Sequence, residues 1–256
     1  MIIDAHSHVH DPVEQHIALL DEAGVDKSVL FMSRPHPERA QDLAALRQEM
    51  DLLHRALAGG GAAGREIAWR ELDAALTAYP DRFIGFGSVP LDAPDVGALI
   101  ERDVVGRGLR GIGELTPPPD QAARLEPVLR AATDHEGLPV VVHGAAPTTA
   151  ADLRTLADLA RRYPRVPLVV SQLGGAHWMD AIELVRDTPN MYLELSTASI
   201  VFAVRLAIAE IPERTLFGSD APYGDPVIAR LTVERATRSS QVRELVLGGT
   251  AQRLLS

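Results

Sequence analysis

Two periodicities alternate along the chain from end to end. Short runs rich in Val, Ile, Leu and Phe recur, and each is followed by a stretch with apolar positions at helical spacing. The first run, Met1 to His10, sets the β-formers Ile2 and Ile3 ahead of Asp4-Ala5-His6-Ser7-His8 and reads as a short buried strand. Val13, Ile17 and Leu20 then mark a helix ending at Gly24. Seven more strands are predicted, at Val25–Met32, Arg82–Val89, Leu109–Leu115, Pro139–His143, Pro167–Gln172, Met191–Ser196 and Arg214–Asp220. Helices are predicted at Asp95–Val105, Ala122–Glu136, Asp152–Tyr163, Met179–Arg186 and Val201–Glu210. A last one spans Pro226–Leu255 with a break at Gly248-Gly249. Pro37–Tyr79 is helical in composition and is interrupted by the glycine-rich patch Leu57–Gly64, read as a flexible joint between two helices. No strand precedes that patch and no Lys-Ser/Thr follows it, so it is not a phosphate loop.

Eight strands alternating with helices in one chain predict an α/β fold, a (β/α)8 TIM barrel forming a single domain over 1–256. A doubly wound sheet is the alternative, but its strand count usually stops earlier. The stretch Ser33–Ala75 is longer than a simple crossover, and predicts a helical insertion after strand two that caps the barrel mouth. Val140-Val141-Val142 is the kind of apolar run that suits a parallel strand buried on both faces.

Composition narrows the partners and the chemistry. At 256 residues the chain can bury a sizeable core, and 46% hydrophobic with 23% charged residues is ordinary for a soluble globular protein. A formal net charge of −10 argues against general binding to nucleic acid or to an anionic membrane. No apolar run approaches the length of a membrane span, and the first strand starts too close to Met1 for a secretory leader. A cytoplasmic location is expected. There are no cysteines, so any metal site must be built from His, Asp and Glu.

Side chains alternate faces along a strand, so His6 and His8 point the same way, with Cα atoms roughly 7 Å apart. Two imidazoles at that spacing can converge on one cation. On the pair alone, a metal clamp and a solvated coincidence near a terminus are equal readings. Active sites of such barrels lie at the C-terminal ends of the strands. Those ends carry Glu114, His143, Gln172 with His177 just after, and Asp220, besides the first-strand pair. Ligand types arriving from several strands favour the clamp.

The motifs Asp-Ala-His-Ser-His, Val-Val-Val-His143-Gly, Ser-Gln-Leu-Gly174-Gly175 and Phe-Gly-Ser-Asp220-Ala-Pro-Tyr resemble the amidohydrolase superfamily. They look most like its branch of carboxymuconate-semialdehyde-type decarboxylases and small lactonases. The closing Gly248-Gly249-Thr250-Ala251-Gln252-Arg253-Leu254-Leu255 is similar to the family's last helix. The resemblance spans essentially the whole chain. It implies that His6, His8 and His143 are metal ligands and that Asp220 binds the metal or its water and acts as general base. Glu114, in Gly-Ile-Gly-Glu, matches a strand-four glutamate that bridges two metals in the TatD-like branch, so one or two ions are implied. The bland alternative for Glu114 is a salt bridge to an arginine such as Arg110.

Strand six departs from the pattern, because Gln172 stands where the family usually has His. Glutamine is a poor metal ligand and no general base. Either His177 fills the space, or Gln172 hydrogen-bonds substrate or water, or catalysis is reduced or absent. Arg34 is a candidate partner for a substrate carboxylate, and Trp178 and Tyr223 are candidate pocket walls. His36, His54 and His135 are read as lying outside the site. The expected function is a metal-dependent hydrolase that uses a metal-activated water on a small ester, lactone or amide. A decarboxylase of the same branch, a TatD-like nuclease and a catalytically silent metal-binding barrel are the alternatives. Zinc is the expected ion, with Mn, Fe and Co also compatible with N/O ligands. The partner is a small molecule, with no nucleic acid or membrane. Oligomeric state, including a homo-oligomer, stays open.

Overall fold

A computed structural model describes residues 1–57 and 62–255. The predicted glycine-rich joint is centred on Ala58, Gly59, Gly60 and Gly61, which lie outside the described residues. The strands are β1 (Ile3–His8), β2 (Lys27–Phe31), β3 (Phe83–Phe86), β4 (Ile112–Leu115), β5 (Val140–Val142), β6 (Leu168–Val170), β7 (Met191–Glu194) and β8 (Thr215–Leu216). Every neighbouring pair runs parallel, in the order β1-β2-β3 and β4-β5-β6-β7-β8. Two seams close the ring. On one side, Gly87 bridges to Ile112, with Gly113 N–H donating to Gly87 O at 2.9 Å. On the other, Ala5 N–H reaches Phe217 O at 2.8 Å and His8 N–H reaches Ala221 O at 2.7 Å. The molecule is a (β/α)8 barrel.

Strand alternation divides the core. Val140 and Val142 of β5, and Leu168 and Val170 of β6, pack outward in the large cluster shared with the helices. Val141 and Val169 turn inward and join Ile3, Ala5, Val29, Phe31, Phe86 and Leu216 in a smaller inner cluster. The β1–β2 register shifts between Asp4 and Ser7, an irregularity of the kind that re-aims side chains beside a site.

The helices follow the expected rhythm: α1 (Val13–Glu22), α2 (Leu43–Leu57), α3 (Ala62–Ala78), α4 (Val96–Ile100), α5 (Glu126–Asp134), α6 (Ala150–Arg162), α7 (Trp178–Arg186), α8 (Val201–Glu210), α9 (Pro226–Ala236), α10 (Ser240–Glu244) and α11 (Thr250–Leu254). Helix α6 starts two residues before the predicted Asp152. Thr149 and Asp152 form a reciprocal capping box that nucleates it there. The predicted cap over Ser33–Ala75 divides in two. Trp69, Leu72 and Ala75 of α3 are buried in the outer core, so α3 is the crossover helix between β2 and β3. The insertion proper is the turn Pro37–Arg39 with α2.

One expected break is elsewhere. The chain runs helically from Ser240 through a wide turn at Leu245–Gly249 into α11, and the interruption falls before Ser239, which caps α10. Gly248 serves a close approach: a Cβ there would lie 2.2 Å from the Met1 carbonyl oxygen. Among the described residues no helix is long and apolar enough to cross a membrane.

Candidate metal centre

Strand β1 aims His6 and His8 at one point, with their Nε2 atoms 3.4 Å apart. Asp220 follows β8 and brings Oδ1 to 3.4 Å from His6 Nε2 and 3.2 Å from His8 Nε2. From the end of β4, Glu114 Oε2 stands 3.6 Å and 3.8 Å from the same two nitrogens. Ligand atoms about 2.0–2.2 Å from a tetrahedral cation stand roughly 3.3–3.6 Å from one another. His6, His8 and Asp220 therefore match a divalent ion in both spacing and type, and Glu114 stands at the edge of that group. Asp220 Oδ1 supplies an independent sign: it is buried and has no hydrogen-bond partner. A buried carboxylate oxygen left unpaired is costly, and a cation between it and the imidazoles removes that cost.

The backbone places Asp220 with φ at 61°, a conformation a side-chain-bearing residue seldom adopts. Its N–H donates to His6 O at 2.7 Å, while its carbonyl accepts from Tyr223 N–H at 2.7 Å and Gly224 N–H at 3.0 Å. Next to it, Ser219 grips Asp4 through N–H to Oδ1 at 2.9 Å and Oγ–H to Oδ2 at 2.5 Å. Burial pushes the Asp4 carboxyl up to about 7, against the pull of those bonds. Asp4 thus ties β1 to the end of β8 beneath the donor cluster.

Glu194, at the end of β7, was not singled out in the sequence. It is fully buried, with Oε2 3.2 Å from His6 Nδ1. Ser196 donates to it through both N–H and Oγ–H, the latter at 2.7 Å, and Gln172 N–H adds a bond at 3.2 Å. A carboxylate on the far nitrogen of an imidazole keeps the near nitrogen free to ligate. The site has room for it because residue 218 is glycine; a Cβ there would fall 2.1 Å from Glu194 Oε1 and 2.9 Å from His6 Cβ. A charged residue closing a buried strand was the available signal.

His143 and Gln172 form the opposite wall. His143 Nδ1 is 3.1 Å from Glu114 Oε1, and its Nε2 is 3.1 Å from Ala146 O. Ser171 Oγ–H donates to the same Glu114 oxygen at 2.7 Å. Gln172 accepts at Oε1 from the N–H groups of Gly144 and Ala145, at 3.2 and 3.1 Å, and donates from Nε2 to Asp220 Oδ2 at 3.3 Å. It therefore bonds to Asp220 while bracing the loop after β5. Burial opposes charge on Glu114, but His6 and His143 hold its carboxyl well below the usual range. Burial likewise opposes charge on Asp220, yet His6 and His8 keep its carboxyl lowered.

The remaining candidates sit further out. His177 is half-buried ahead of α7, and among the described residues no hydrogen bond or ion pair joins it to the cluster. Trp178 packs edge-on against Phe202, with ring centroids 5.9 Å apart. Tyr223 stands perpendicular to His8 at 5.7 Å between centroids, on the wall of the centre. Arg34 Nη1 bonds Glu71 Oε1 at 3.1 Å. Arg34 therefore joins a second group around the buried His36, which touches Glu38 at 3.1 Å and Glu71 at 3.2 Å. His10 and His16 stack beneath, 4.1 Å apart, both lowered by burial.

Fold and donors define a (β/α)8 barrel whose strand ends gather a hard-ligand cluster fitted to a divalent ion. The amidohydrolase family model matches residues 3–256, and the chain belongs to that family. No curated protein matches it in sequence. Among solved structures it is similar to 5-carboxyvanillate decarboxylase from Sphingomonas paucimobilis, at 19% identity and a TM-score of 0.70, covering 99% of this chain and 98% of that one. Dihydroxybenzoic acid decarboxylase from Polaromonas, solved with manganese and 2-nitroresorcinol, matches at 17% identity and 0.69 over 99% and 96%. A probable 2-pyrone-4,6-dicarboxylic acid hydrolase from Acinetobacter baumannii matches at 16% and 0.65 over 99% and 98%. At these identities the likeness is one of fold.

Proposed function

We propose that the chain is a metal-dependent hydrolase of small esters, lactones or amides. The observation that carries this reading is the unpartnered Asp220 Oδ1, facing His6 and His8 Nε2 at 3.4 and 3.2 Å. In this reading His6, His8, Glu114 and Asp220 hold the ion. His143 is kept on the same wall by Glu114 and is the further ligand if a second ion binds. Zinc fits this N/O set, as do manganese, iron and cobalt. When bound, such an ion supplies a Lewis acid for the substrate carbonyl and lowers the pKa of water toward about 7.

The chain's own groups move the proton. Gln172 cannot accept one, and its amide occupies Asp220 Oδ2. Oδ1 is left to take the proton from the attacking water, and the lowered carboxyl is ionised at neutral pH to do so. Asp220 then returns that proton to the leaving alcohol or amine. Glu194 fixes the His6 ring throughout, and Tyr223 bounds the substrate beside His8. His177 is assigned no step.

A second reading, decarboxylation, draws its support from the decarboxylases among the similar structures. It would use the same centre, with Asp220 delivering a proton to carbon. One experiment separates the two: the metal-loaded protein is assayed against aryl esters, lactones, anilides and hydroxybenzoates, with parallel detection of CO2. Hydrolysis that vanishes in Asp220→Asn is the expected result. Release of CO2 without hydrolysis would replace the first reading by the second.

A further inference from the structure

A cleft of about 540 Å³ runs from Tyr223 between the loops after β1, β7 and β8. Leu195, Val204, Pro222 and Val233 contribute apolar wall, and Tyr223 joins the cleft to the metal centre through its contact with His8. Two buried polar groups on its lining have an unfilled hydrogen-bonding position. Glu38 is 9% exposed in its side chain; Oε1 accepts from Asp11 N–H at 2.7 Å and lies 3.1 Å from His36 Nδ1, and Oε2 has no partner. His10 is 2% exposed, pairs through Nδ1 with His8 O at 3.0 Å, and leaves Nε2 without a partner.

The charges around the cleft have one sign. Among the described residues its lining holds the carboxylates Glu38 and Asp225 and no lysine or arginine. Arg34 pairs with Glu71 and Arg39 with Asp11. A substrate carboxylate in the cleft would meet the carboxylates of Glu38 and Asp225 and no lysine or arginine on the lining. An ammonium or hydroxyl would complete Glu38, and a charge-assisted bond is about twice as strong as a neutral one.

We propose that this cleft is the subsite for the distal part of the substrate, and that it takes an apolar body bearing a hydrogen-bond donor, an ammonium before a hydroxyl, in preference to a second carboxylate. This assignment rests on the hydrolase reading for its place in a reaction, but it is tested by binding alone.

Isothermal titration of the metal-loaded full chain with benzylamine, benzyl alcohol and benzoate is the measurement. Benzylamine is expected to bind, and Glu38→Gln to weaken it tenfold or more. The change for benzyl alcohol should be smaller, and benzoate, relieved of one like charge, should bind Glu38→Gln no more weakly than the unaltered protein. Ala229→Trp, which fills the cleft from α9, provides a variant independent of the Glu38 bonds and should also abolish benzylamine binding. Absence of benzylamine binding, equal binding by Glu38→Gln, or binding retained in Ala229→Trp would each overturn the proposal. Loss of the hydrolase reading would show as absent turnover with Glu38-dependent benzylamine binding intact, so the two failures are distinct.

Discussion

Glu194 Oε2 stands 3.2 Å from His6 Nδ1, on the side of the ring away from Asp220. The imidazole is thereby held from behind, with Nε2 turned to the donor cluster. Replacing such a supporting carboxylate typically costs ten- to a hundredfold in metal affinity. Glu194→Gln should therefore weaken the ion by about that factor in a chelator competition, while the far-ultraviolet spectrum stays the same. Unchanged affinity would remove Glu194 from the metal's support.

Asp220→Asn keeps the Gln172 contact available but cannot take a proton. Turnover of an activated aryl ester should fall by roughly 10²–10⁴, the usual contribution of a positioned base. Stability should fall modestly, because the deleted charge is one that His6 and His8 favour in the folded state. Full kcat in this variant would end the proposed mechanism.

Gln172→His tests the departure from the usual family pattern. A neutral histidine that donates to Asp220 keeps a single acceptor lone pair, one too few for the N–H groups of both Gly144 and Ala145. Gly144 N–H keeps Ser171 Oγ at 3.2 Å, but Ala145 N–H is left without a partner, and an unpaired buried donor costs about 1–3 kcal/mol. The variant should unfold at lower urea concentration and turn over no faster. A gain in kcat would mean that the wall lacks a base.

Chelation should abolish turnover and lower the melting temperature, and added zinc or manganese should restore both. Ion at a hundred times its dissociation constant contributes about 2.7 kcal/mol through binding only the folded state. A melting curve indifferent to chelator and to added ion would argue that the cluster holds none.

The second histidine group supplies a pH dependence. His36 is buried, which disfavours its charge, but its bonds to Glu38 and Glu71 raise it above the ordinary 6.5. Protonation is thus favoured by folding. The stabilisation is complete below about pH 6.5 and fades as pH rises through the raised folded value. Thermal melts from pH 6 to 9 should show a decline that Glu71→Gln and His36→Gln each make shallower, the remainder belonging to Asp4, His6 and His143. Arg34 and Asp11 flank the same group. An identical decline in His36→Gln would assign it elsewhere.

The strand rhythm was legible because barrel strands are buried on both faces and read as uninterrupted apolar runs, as at Val140–Val142. His6 and His8 were legible because a period of two needs no partner to predict it. What escaped depends on neighbours distant in the chain. Gly248 has the local look of a helix breaker, yet its job is to let α11's approach pass the Met1 carbonyl. Glu194 carries no motif, and its role exists only because Gly218 leaves it space beside His6. The helical insertion was visible as excess length, but only the burial of Trp69 and Leu72 separates crossover helix from addition.

The seam that closes the ring also sets an order of assembly. His6 and His8 enter from the first strand, and Asp220 after the eighth, with Asp220 N–H on His6 O and Ser219 on Asp4. During synthesis the two histidines emerge long before their carboxylate partner. With the proposed ligand set, a tight ion site forms only once the opening and closing strands have met. Capture of the metal therefore reports that the barrel is shut, and a chain arrested before β8 would carry its histidines to no purpose.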